Sequence, residues 1–332
     1  MARPPLVTVV IPTVRGRTWL PACLNALRAQ TFRDFDIFII DNASTDGTRN
    51  WLSAQSDVHV IRNETNVGFA AACNQGMRAS RSPFIALLND DTRADAGWLE
   101  ALVSEVLNIE RRVPHGQSTP DIHHMSLGAC ASLMLYADRP DMVQSAGISM
   151  DRAAIAWDRL GGRHVSDAQA ACDVFGASGG ACLYRRAMLD AIGLFDERFF
   201  AYLEDVDLAW RAQRAGWRCV YVPQARVLHY TSATGGEGSP FKQRLLGRNK
   251  QWMVAKNARM RDLPLIVLYD LLGAVASGVA RGNWAHVRGR IVALRHLRGT
   301  QEKPLTATNA HVPFDPLVAP WQVSKRFARG LG

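Results

Sequence analysis

The chain has 332 residues, of which 48% are hydrophobic and 21% are charged, a composition typical of a globular protein with a sizeable core. Its six cysteines are scattered and form no CxxC pair, which argues against a zinc site and against thioredoxin-like chemistry. We therefore expect reduced, mostly buried thiols in a cytoplasmic protein.

The formal net charge of +9 is distributed unevenly along the chain. Residues 241–332 carry 16 basic residues (Lys and Arg) against 4 acidic ones, whereas residues 1–240 carry 23 against 26. A basic C-terminal segment indicates contact with nucleic acid or with an anionic membrane surface.

The first apolar run, residues 7–11, stops at Pro12 and is too short for the core of a signal peptide, so we expect a buried parallel strand. Strand-like and helix-like segments then alternate along the chain. In order they are a helix at 19–27, strands at 35–40 and 58–61, a helix at 70–79, a strand at 84–88 and a helix at 98–106. This order predicts an α/β fold with an open, mainly parallel sheet flanked by helices.

Residues 108–125 are polar and are predicted to form a loop or an insertion. Their His123-His124 pair has no partner at metal-ligand spacing, which favours two solvated histidines. Residues 126–182 carry shorter strand-like runs with many glycines, and we expect them to form a more mixed part of the same sheet.

From about residue 240 the pattern becomes helical. Residues 263–280 are largely apolar, but Pro264 and Asp270 interrupt them, whereas a membrane-spanning helix needs about 20 uninterrupted apolar residues. The next stretch places arginines opposite Val287 and Ile291 at helical spacing. Two interpretations stay open: a helix lying in a membrane interface, or a helix packed on the main domain with a solvated basic face.

Polar residues end three of the predicted strands. The first strand ends in Pro12-Thr13, the second in Asp41-Asn42 and the fourth in Asn89-Asp90-Asp91, which is the first of two acidic clusters. Ligands of open α/β sheets bind outside the carboxyl ends of the strands, so we expect these three groups to face one crevice. Asp41, taken alone, could equally be a turn cap.

The chain contains neither GxGxxG after its first strand nor GxxxxGK[ST], so the phosphate-binding loops of dinucleotide enzymes and P-loop NTPases are missing. The charge of a phosphorylated substrate would then be met by Mg²⁺ or Mn²⁺, which prefer carboxylate oxygens. Asp91 is the natural ligand, and His229 is a nitrogen donor suited to Mn²⁺. If His229 is considered without the other residues, the commoner interpretation is a core histidine whose ring nitrogens are hydrogen-bonded.

A second acidic cluster, Glu204-Asp205-Val206-Asp207, opens a helix-patterned stretch. Acidic residues in the first turn of a helix interact favourably with its dipole, so one or two of these could serve the helix alone. The apolar residues 199–202 before them would desolvate a neighbouring carboxylate and raise its pKa. The cluster is therefore our candidate for a general base.

These segments together resemble the inverting glycosyltransferases of family 2, which have the GT-A fold. The matching segments are VVIPT at 9–13, IDNASTDGT at 40–48, NVGFA at 66–70, LLNDDT at 87–92, GLFDE at 193–197 and YLEDVDL at 202–208. Within the family the chain is most similar to rhamnosyltransferase-like enzymes of cell-surface polysaccharide assembly, and its tail from Arg248 onward resembles theirs. The resemblance implies a GT-A catalytic domain at 1–238 and a basic, mainly helical region at 239–332.

The resemblance also implies roles for individual residues. Asp205 would be the general base, and Glu204 would contact the acceptor or the base. Asp91 and His229 would bind the metal ion. The positions implied to contact the donor nucleotide are Pro12, Thr13, Asp41, Asn66, Asn89 and Asp90. Asn89 stands where the family's DxD motif usually begins with an acid.

The implied reaction is metal-dependent transfer of a hexose or deoxyhexose, such as rhamnose, from a nucleotide-diphosphate sugar to a glycan or lipid-linked glycan. A carboxylate that takes the proton of the acceptor hydroxyl contributes ~10²–10⁴-fold in rate. The basic tail suits an anionic surface at the inner face of the cell membrane. Nucleic acid is not expected as a partner, because the tail lacks interleaved aromatic residues beyond Trp284.

Two alternative functions remain open on the sequence. A sugar nucleotidyltransferase would use a similar fold and metal, but the segment Val14-Arg15-Gly16-Arg17 is a poor version of the glycine- and lysine-rich loop that it needs. A non-catalytic nucleotide-sugar-binding membrane scaffold is the other alternative, and the complete set of carboxylates argues against it.

Overall fold

The computed structural model describes residues 3–112, 126–230, 239–275, 284–295 and 312–317. Most of the predicted loop at 108–125, including the His123-His124 pair, lies outside these ranges. Its first residues differ from the prediction, because the preceding helix continues to Arg112. Leu107, Glu110, Arg111 and Arg112 are good helix formers, which explains the longer helix.

The described residues form twelve strands and nine α-helices. The strands are β1 (Val7–Thr13), β2 (Phe35–Asn42), β3 (His59–Asn63), β4 (Phe84–Leu88), β5 (Thr92–Ala94), β6 (Leu127–Tyr136), β7 (Val143–Ser145), β8 (Ile148–Met150), β9 (Ala156–Asp158), β10 (Cys172–Val174), β11 (Ala181–Arg185) and β12 (Arg218–His229). The helices are α1 (Leu20–Arg28), α2 (Thr48–Leu52), α3 (Phe69–Ala79), α4 (Trp98–Arg112), α5 (Arg186–Ile192), α6 (Glu204–Arg214), α7 (Pro240–Asn257), α8 (Leu263–Val275) and α9 (Trp284–Arg295).

Ten of the strands form one sheet in the order β10-β12-β6-β11-β4-β1-β2-β3, with β5 added to β12 and β7 added to β6. Strands β4, β1, β2 and β3 are parallel, which confirms the predicted α/β fold with an open sheet. Strand β11 runs antiparallel between β4 and β6, so the second half of the sheet is mixed, as predicted.

Strand β1 continues through Pro12 to Thr13, two residues beyond its predicted end. Strand β4 pairs with β1 only as far as Val10, so the end of β1 has a single neighbour, β2. A residue without a backbone N–H is tolerated at such a position. The extension carries the side chain of Thr13 to the carboxyl edge of the sheet.

Helices cover both faces of the parallel strands. All seven residues of β1 are buried. Leu20, Leu24 and Leu27 of α1 are fully buried against one face, and each contributes ~1.5–3 kcal/mol by leaving water. Helix α3 lies on the other face, where a β-carbon at Gly76 would stand 2.5 Å from Cγ1 of Val10. The missing side chain therefore allows α3 to approach the sheet closely.

The C-terminal helices pack on each other at two glycines. A β-carbon at Gly247 of α7 would collide with the carbonyl oxygen of His286, and one at Gly289 of α9 would collide with that of Arg244. Gly289 therefore lies on the face of α9 that packs against α7. Ile291, predicted to lie on the apolar face, is 48% exposed.

The described part of helix α8, Leu263–Val275, has 13 residues. Across the described ranges, no helix combines the length and the apolar character that crossing a membrane requires. The five large apolar side chains Val267, Leu268, Leu271, Leu272 and Val275 are nevertheless 44 to 62% exposed. Their spacing places them on one side of α8.

Candidate active site

The ends of β1, β2 and β4 lie side by side, as the strand order requires. Thr13 is paired in register with Asp41 of β2. The hydroxyl of Thr13 donates a hydrogen bond of 2.6 Å to Oδ2 of Asp90, which directly follows β4. Burial raises the pKa of Asp90 to about 6, although the bond from Thr13 opposes the shift. Asp41 is 2% exposed and accepts a bond from the backbone N–H of Ser44.

Asparagine side chains hold the loop between β3 and α3. The amide of Asn42 donates to Oδ1 of Asn66 at 2.8 Å, and the same oxygen accepts the N–H of Gly68 at 2.9 Å. Oδ1 of Asn42 accepts the amide of Asn63 and the N–H of Val67. The predicted nucleotide residue Asn66 therefore lies beside the strand ends and also orders its own loop.

His229 and Asp91 lie together because β5 pairs with β12. The pairing sets Thr92 opposite His229, and Nε2 of His229 is 3.0 Å from Oδ1 of Asp91. The amide nitrogen of Asn89 is 3.4 Å from the same Nε2. On the other side of the ring, Nδ1 contacts Oε1 of Gln144 at 2.7 Å. Gln144 carries no signal in the sequence that could have identified it.

This arrangement fits a divalent cation. Gln144 is an acceptor for Nδ1–H of His229, which leaves Nε2 available as a ligand next to the Asp91 carboxylate. Within the part of the chain that the structure describes, no group of three or more His, Cys, Asp or Glu side chains could hold a metal ion. Two protein ligands suffice for Mg²⁺-type sites when substrate phosphates complete the coordination.

The second acidic cluster begins α6. Oδ2 of Asp205 accepts the N–H of Gly179 at 2.9 Å, and Oδ1 accepts the N–H of Val206 at 2.8 Å. Glu204 is 5% exposed, and its Oε2 has no hydrogen-bond partner among the residues that the structure describes. Burial raises the pKa of Asp205 and, with the charge of Asp205, raises that of Glu204 well above its usual range. A carboxylate with a raised pKa is a stronger base.

The backbone before α6 adopts an unusual conformation. Phe200, Tyr202 and Leu203 have φ angles of 65°, 70° and 67°, in the left-handed region that favours glycine. Such conformations cost about 1–3 kcal/mol each and persist only where surrounding contacts impose them. The predicted apolar support for the acidic cluster is therefore also a strained loop, which the sequence did not reveal.

The Gly179-Gly180 turn before β11 joins the two acidic clusters. Gly179 donates its N–H to Asp205, and the carbonyl of Gly180 accepts the N–H of Asn89 at 2.9 Å. A β-carbon on Gly180 would stand 3.4 Å from the amide nitrogen of Asn89. The structure thus brings Asp205, Asn89, His229 and Asp91 to one cleft at the carboxyl edge of the sheet.

Asp158 of β9 is an acidic residue of the same cleft that the sequence did not single out. Desolvation by the surrounding protein raises its pKa to about 6; the charge of Asp205 adds to this shift and that of His229 opposes it. The residue as a whole is exposed, so water screens these interactions and the shift is smaller than full burial would give. No neighbouring motif distinguishes it in the sequence.

An open α/β sheet with carboxylates, amides and a histidine gathered at its carboxyl edge is the arrangement that the resemblance to the GT-A glycosyltransferases implied. Residues 8–193 match the family model described as Glycosyl transferase family 2. The match covers more than half of the chain, so the chain belongs to this family, as the resemblance implied. The protein is therefore a glycosyltransferase that takes a sugar from a nucleotide-sugar donor, and the nucleotidyltransferase and scaffold alternatives are not supported.

Relatives of known name agree with this assignment. The chain is 29% identical over 258 residues to the N-acetylglucosaminyl-diphospho-decaprenol L-rhamnosyltransferase of Mycobacterium tuberculosis, covering 70% of this chain and 78% of the relative. It is 27% identical over 225 residues to the pre-mycofactocin glycosyltransferase of the same species, covering 67% of this chain and 42% of that protein.

Solved structures share the fold at low identity. GalNAc-T7 with UDP, GalNAc and Mn²⁺ superimposes with a TM-score of 0.54 and 14% identity, covering 85% of this chain and 58% of that one. The mannosyltransferase PcManGT of Pyrobaculum calidifontis, in complex with GDP-Man and Mn²⁺, gives a TM-score of 0.50 and 15% identity, covering 91% and 78%. These similarities confirm the GT-A fold.

Proposed function

We propose that this glycosyltransferase moves a hexose or deoxyhexose, such as rhamnose, to a glycan or lipid-linked glycan acceptor in cell-surface polysaccharide synthesis. The mycobacterial rhamnosyltransferase, whose name contains a diphospho-decaprenol carrier, supports this choice of sugar and acceptor. The observation that carries the chemistry is the meeting of the Asp205 and Asn89 segments at Gly179-Gly180.

Asp205 is the proposed general base. Its carboxylate is fixed at Oδ2 by the N–H of Gly179 and at Oδ1 by the N–H of Val206, so its orientation is set before the acceptor arrives. It would take the proton of the acceptor hydroxyl as the new bond to the anomeric carbon forms. One displacement inverts that carbon. Glu204 would contact the acceptor or Asp205.

Asp91 and His229 are the proposed ligands of Mg²⁺ or Mn²⁺, with Gln144 orienting the imidazole ring. When bound, the cation would offset the negative charge that develops on the leaving nucleoside diphosphate. The protein's own contribution is to hold the carboxylate and the imidazole 3.0 Å apart, next to the Asn89 amide.

The remaining strand-end residues are assigned to the donor. Asp41 and Asn66 would contact the nucleotide base and its surroundings, and Asn89 would face the ribose. Pro12 and Thr13 would contact the nucleotide beside Asp41, and the hydroxyl of Thr13 also donates a hydrogen bond to Asp90. Asp90 therefore supports the donor pocket indirectly.

A membrane surface is the proposed place of action, at the inner face of the cell membrane. Helix α8 exposes its apolar stripe in a C-terminal segment that holds 16 basic against 4 acidic residues. Apolar side chains that enter the bilayer boundary and basic residues that attract anionic lipids reinforce each other. No role in binding nucleic acid is proposed.

The proposal is tested by transfer assays with UDP-, GDP- and dTDP-linked sugars, Mn²⁺ and a lipid-diphosphate glycan acceptor, with the product read by mass spectrometry. Asp205→Asn should abolish transfer and leave nucleotide binding nearly intact. The exposed Asp190→Asn is the matched control and should transfer normally. Turnover retained in Asp205→Asn would remove this residue from the base role, and no transfer with any donor would contradict the reaction itself.

A further inference from the structure

Helix α7 contacts the loop that precedes the proposed base. Asn249 is fully buried. Its amide nitrogen lies within hydrogen-bond distance of three backbone carbonyl oxygens, those of Phe199 at 3.0 Å, Ala201 at 2.9 Å and Tyr202 at 2.7 Å. Tyr202 is one of the three residues of this loop with a positive φ angle, and α6 begins two positions after it, at Glu204. A single side chain thus contacts the carbonyl that ends the short 3-10 helix Glu197–Phe199 and two carbonyls of the loop after it, which lie outside any helix or strand.

Arg248 completes this contact. Its Nη2 donates to the carbonyls of Arg198 at 3.1 Å and of Phe199 at 2.8 Å. Its Nε donates to Oδ1 of Asn249 at 2.9 Å. An arginine has only donors, so this bond fixes which end of the Asn249 amide is the oxygen and turns the NH₂ group towards the loop. The guanidinium also lies over the Trp252 ring, 4.5 Å from its centre.

The opposite side of the loop rests on the start of α3. The N–H of Ala70 donates to the carbonyl of Phe200 at 3.1 Å. A β-carbon on Gly68 would stand 2.5 Å from that same oxygen. The loop is therefore held between α3, on the donor side of the cleft, and α7, and it has little freedom to relax its positive φ angles.

We propose that Arg248 and Asn249 are positioning residues for the glycosyl-transfer reaction, acting on Asp205 through the loop at 199–203. The inference rests on the proposed role of Asp205 as base. It assigns α7 a part in catalysis besides any part that the basic C-terminal region has at a membrane. A displacement of about 1 Å at a reacting group can lower a rate ~10²-fold, so loosening this loop should be visible in turnover.

The test compares Asn249→Ala with Asn257→Ala in the full chain. Asn257 lies on the same helix, is 1% exposed, and donates to Asp207 at 2.8 Å and to Met253 at 3.0 Å. Both substitutions remove a buried amide, but only the first touches the loop. Asn249→Ala should lower kcat about 10–100-fold with the donor KM changed less than about threefold, and Asn257→Ala should change neither by more than about threefold.

Hydrogen–deuterium exchange supplies a readout independent of activity. Amides of residues 200–206 should exchange faster in Asn249→Ala than in wild type, and at the wild-type rate in Asn257→Ala. If Asn249→Ala does not fold, Arg248→Lys takes its place, because lysine keeps the charge and loses the Nε donor that orients Asn249. Arg248→Lys should lower kcat and speed up exchange of the loop amides as Asn249→Ala does, but by less.

Unchanged exchange in the loop, or equal losses of kcat in the two asparagine variants, would overturn the inference. If the proposed role of Asp205 as the base is wrong, the experiments give a different result. In that case Asp205→Asn retains turnover, while the exchange data still report whether Asn249 holds the loop. Nucleotide binding, probed with UDP, GDP and dTDP in the presence of Mn²⁺, should stay near wild type in all these variants.

Discussion

Nε2 of His229 lies 3.0 Å from Oδ1 of Asp91, although 138 positions separate the two residues in the chain. The short strand β5 produces this contact. It follows Asp91 immediately and turns the chain back to pair with the end of β12, which sets Thr92 opposite His229. A motif after β4 and a histidine at the far end of the sheet are thereby joined by backbone hydrogen bonds, independently of any ligand.

The first prediction concerns the orientation of this histidine. Gln144→Leu removes the acceptor at Nδ1 and should lower the affinity for Mn²⁺ about 10–100-fold, because a ring without that partner can rotate or take the other tautomer. Asp91→Asn should lower it at least as much. Calorimetric titration of Mn²⁺ in the presence of UDP, GDP or dTDP measures the effect.

The exposed Gln169→Leu provides the control and should bind Mn²⁺ as wild type does. Wild-type Mn²⁺ affinity in both Gln144→Leu and Asp91→Asn would show that the metal ion, if one is used, binds elsewhere.

The second prediction concerns Glu204, which is buried and has one side-chain oxygen without a hydrogen-bond partner in the described part of the chain. Burial and the charge of Asp205 raise its pKa well above the usual 4.5. The folded protein therefore holds this proton more tightly than the unfolded chain does, so the contribution of Glu204 to stability is greatest below pH 4.5 and falls as the pH rises towards the raised pKa. Each pKa unit corresponds to about 1.4 kcal/mol.

Glu204→Gln keeps the shape without the charge and should raise the Tm at pH 8 by about 2 °C or more, with the gain shrinking as the pH approaches 4.5. Thermal denaturation followed by circular dichroism from pH 4.5 to 8 measures this difference. A gain in Tm that is the same at every pH, or a loss at pH 8, would mean that Glu204 is ionised at no cost in the fold.

The sequence predicted that polar residues lie near the strand ends, because parallel strands with buried apolar runs are easy to recognise and their carboxyl ends must share an edge. Thr13, Asp41, Asn89 and Asp91 lie there as expected. Gln144 and the Gly179-Gly180 turn could not be predicted in the same way. Their places depend on the pairing of β6 with β7 and β11, which joins segments far apart in sequence.

The C-terminal helices illustrate a different limit. Helical periodicity predicted an apolar face on α9, but close helix packing is decided by residues that permit backbone contact, here Gly247 and Gly289. Arg290 is turned inward instead, where it is paired with Asp270 of α8. The exposed apolar stripe then falls on α8, a helix whose sequence is apolar almost all round and so gives no indication of which side is covered.

A third prediction follows for that stripe. Leu268→Glu combined with Leu271→Glu should reduce binding to phosphatidylglycerol vesicles by at least about tenfold, because each leucine withdrawn from a bilayer forfeits ~1.5–3 kcal/mol. Binding of the wild type should also fall with added salt and be weak on phosphatidylcholine. Co-sedimentation measures both effects. Leu317→Glu, at a site 40% exposed, is the control, and equal binding by all three proteins would exclude α8 as the contact.

The last prediction concerns the turn between the acidic clusters. In Gly180→Ala the new methyl group would stand 2.8 Å from Cε of Met134 and 3.4 Å from the Asn89 amide. The methionine side chain is flexible and can move aside, so the loss of stability should stay within about 1–3 kcal/mol. The Asn89 segment has less room, because its N–H is bonded to the carbonyl of Gly180 itself. We therefore expect kcat to fall about tenfold or more, since Asn89 and Asp205 are spaced through this turn.

Gly97→Ala is the matched control, because no atom of the described ranges lies within 4 Å of its β-carbon position. Steady-state transfer rates and urea denaturation, measured on both variants, separate an effect on the site from an effect on the fold. If Gly180→Ala loses stability but keeps its kcat, the cleft adjusts to the added methyl group and the spacing of the two clusters is not set by this turn. If it loses kcat while its unfolding midpoint stays near that of Gly97→Ala, the turn fixes the spacing between Asn89 and Asp205 that sugar transfer requires.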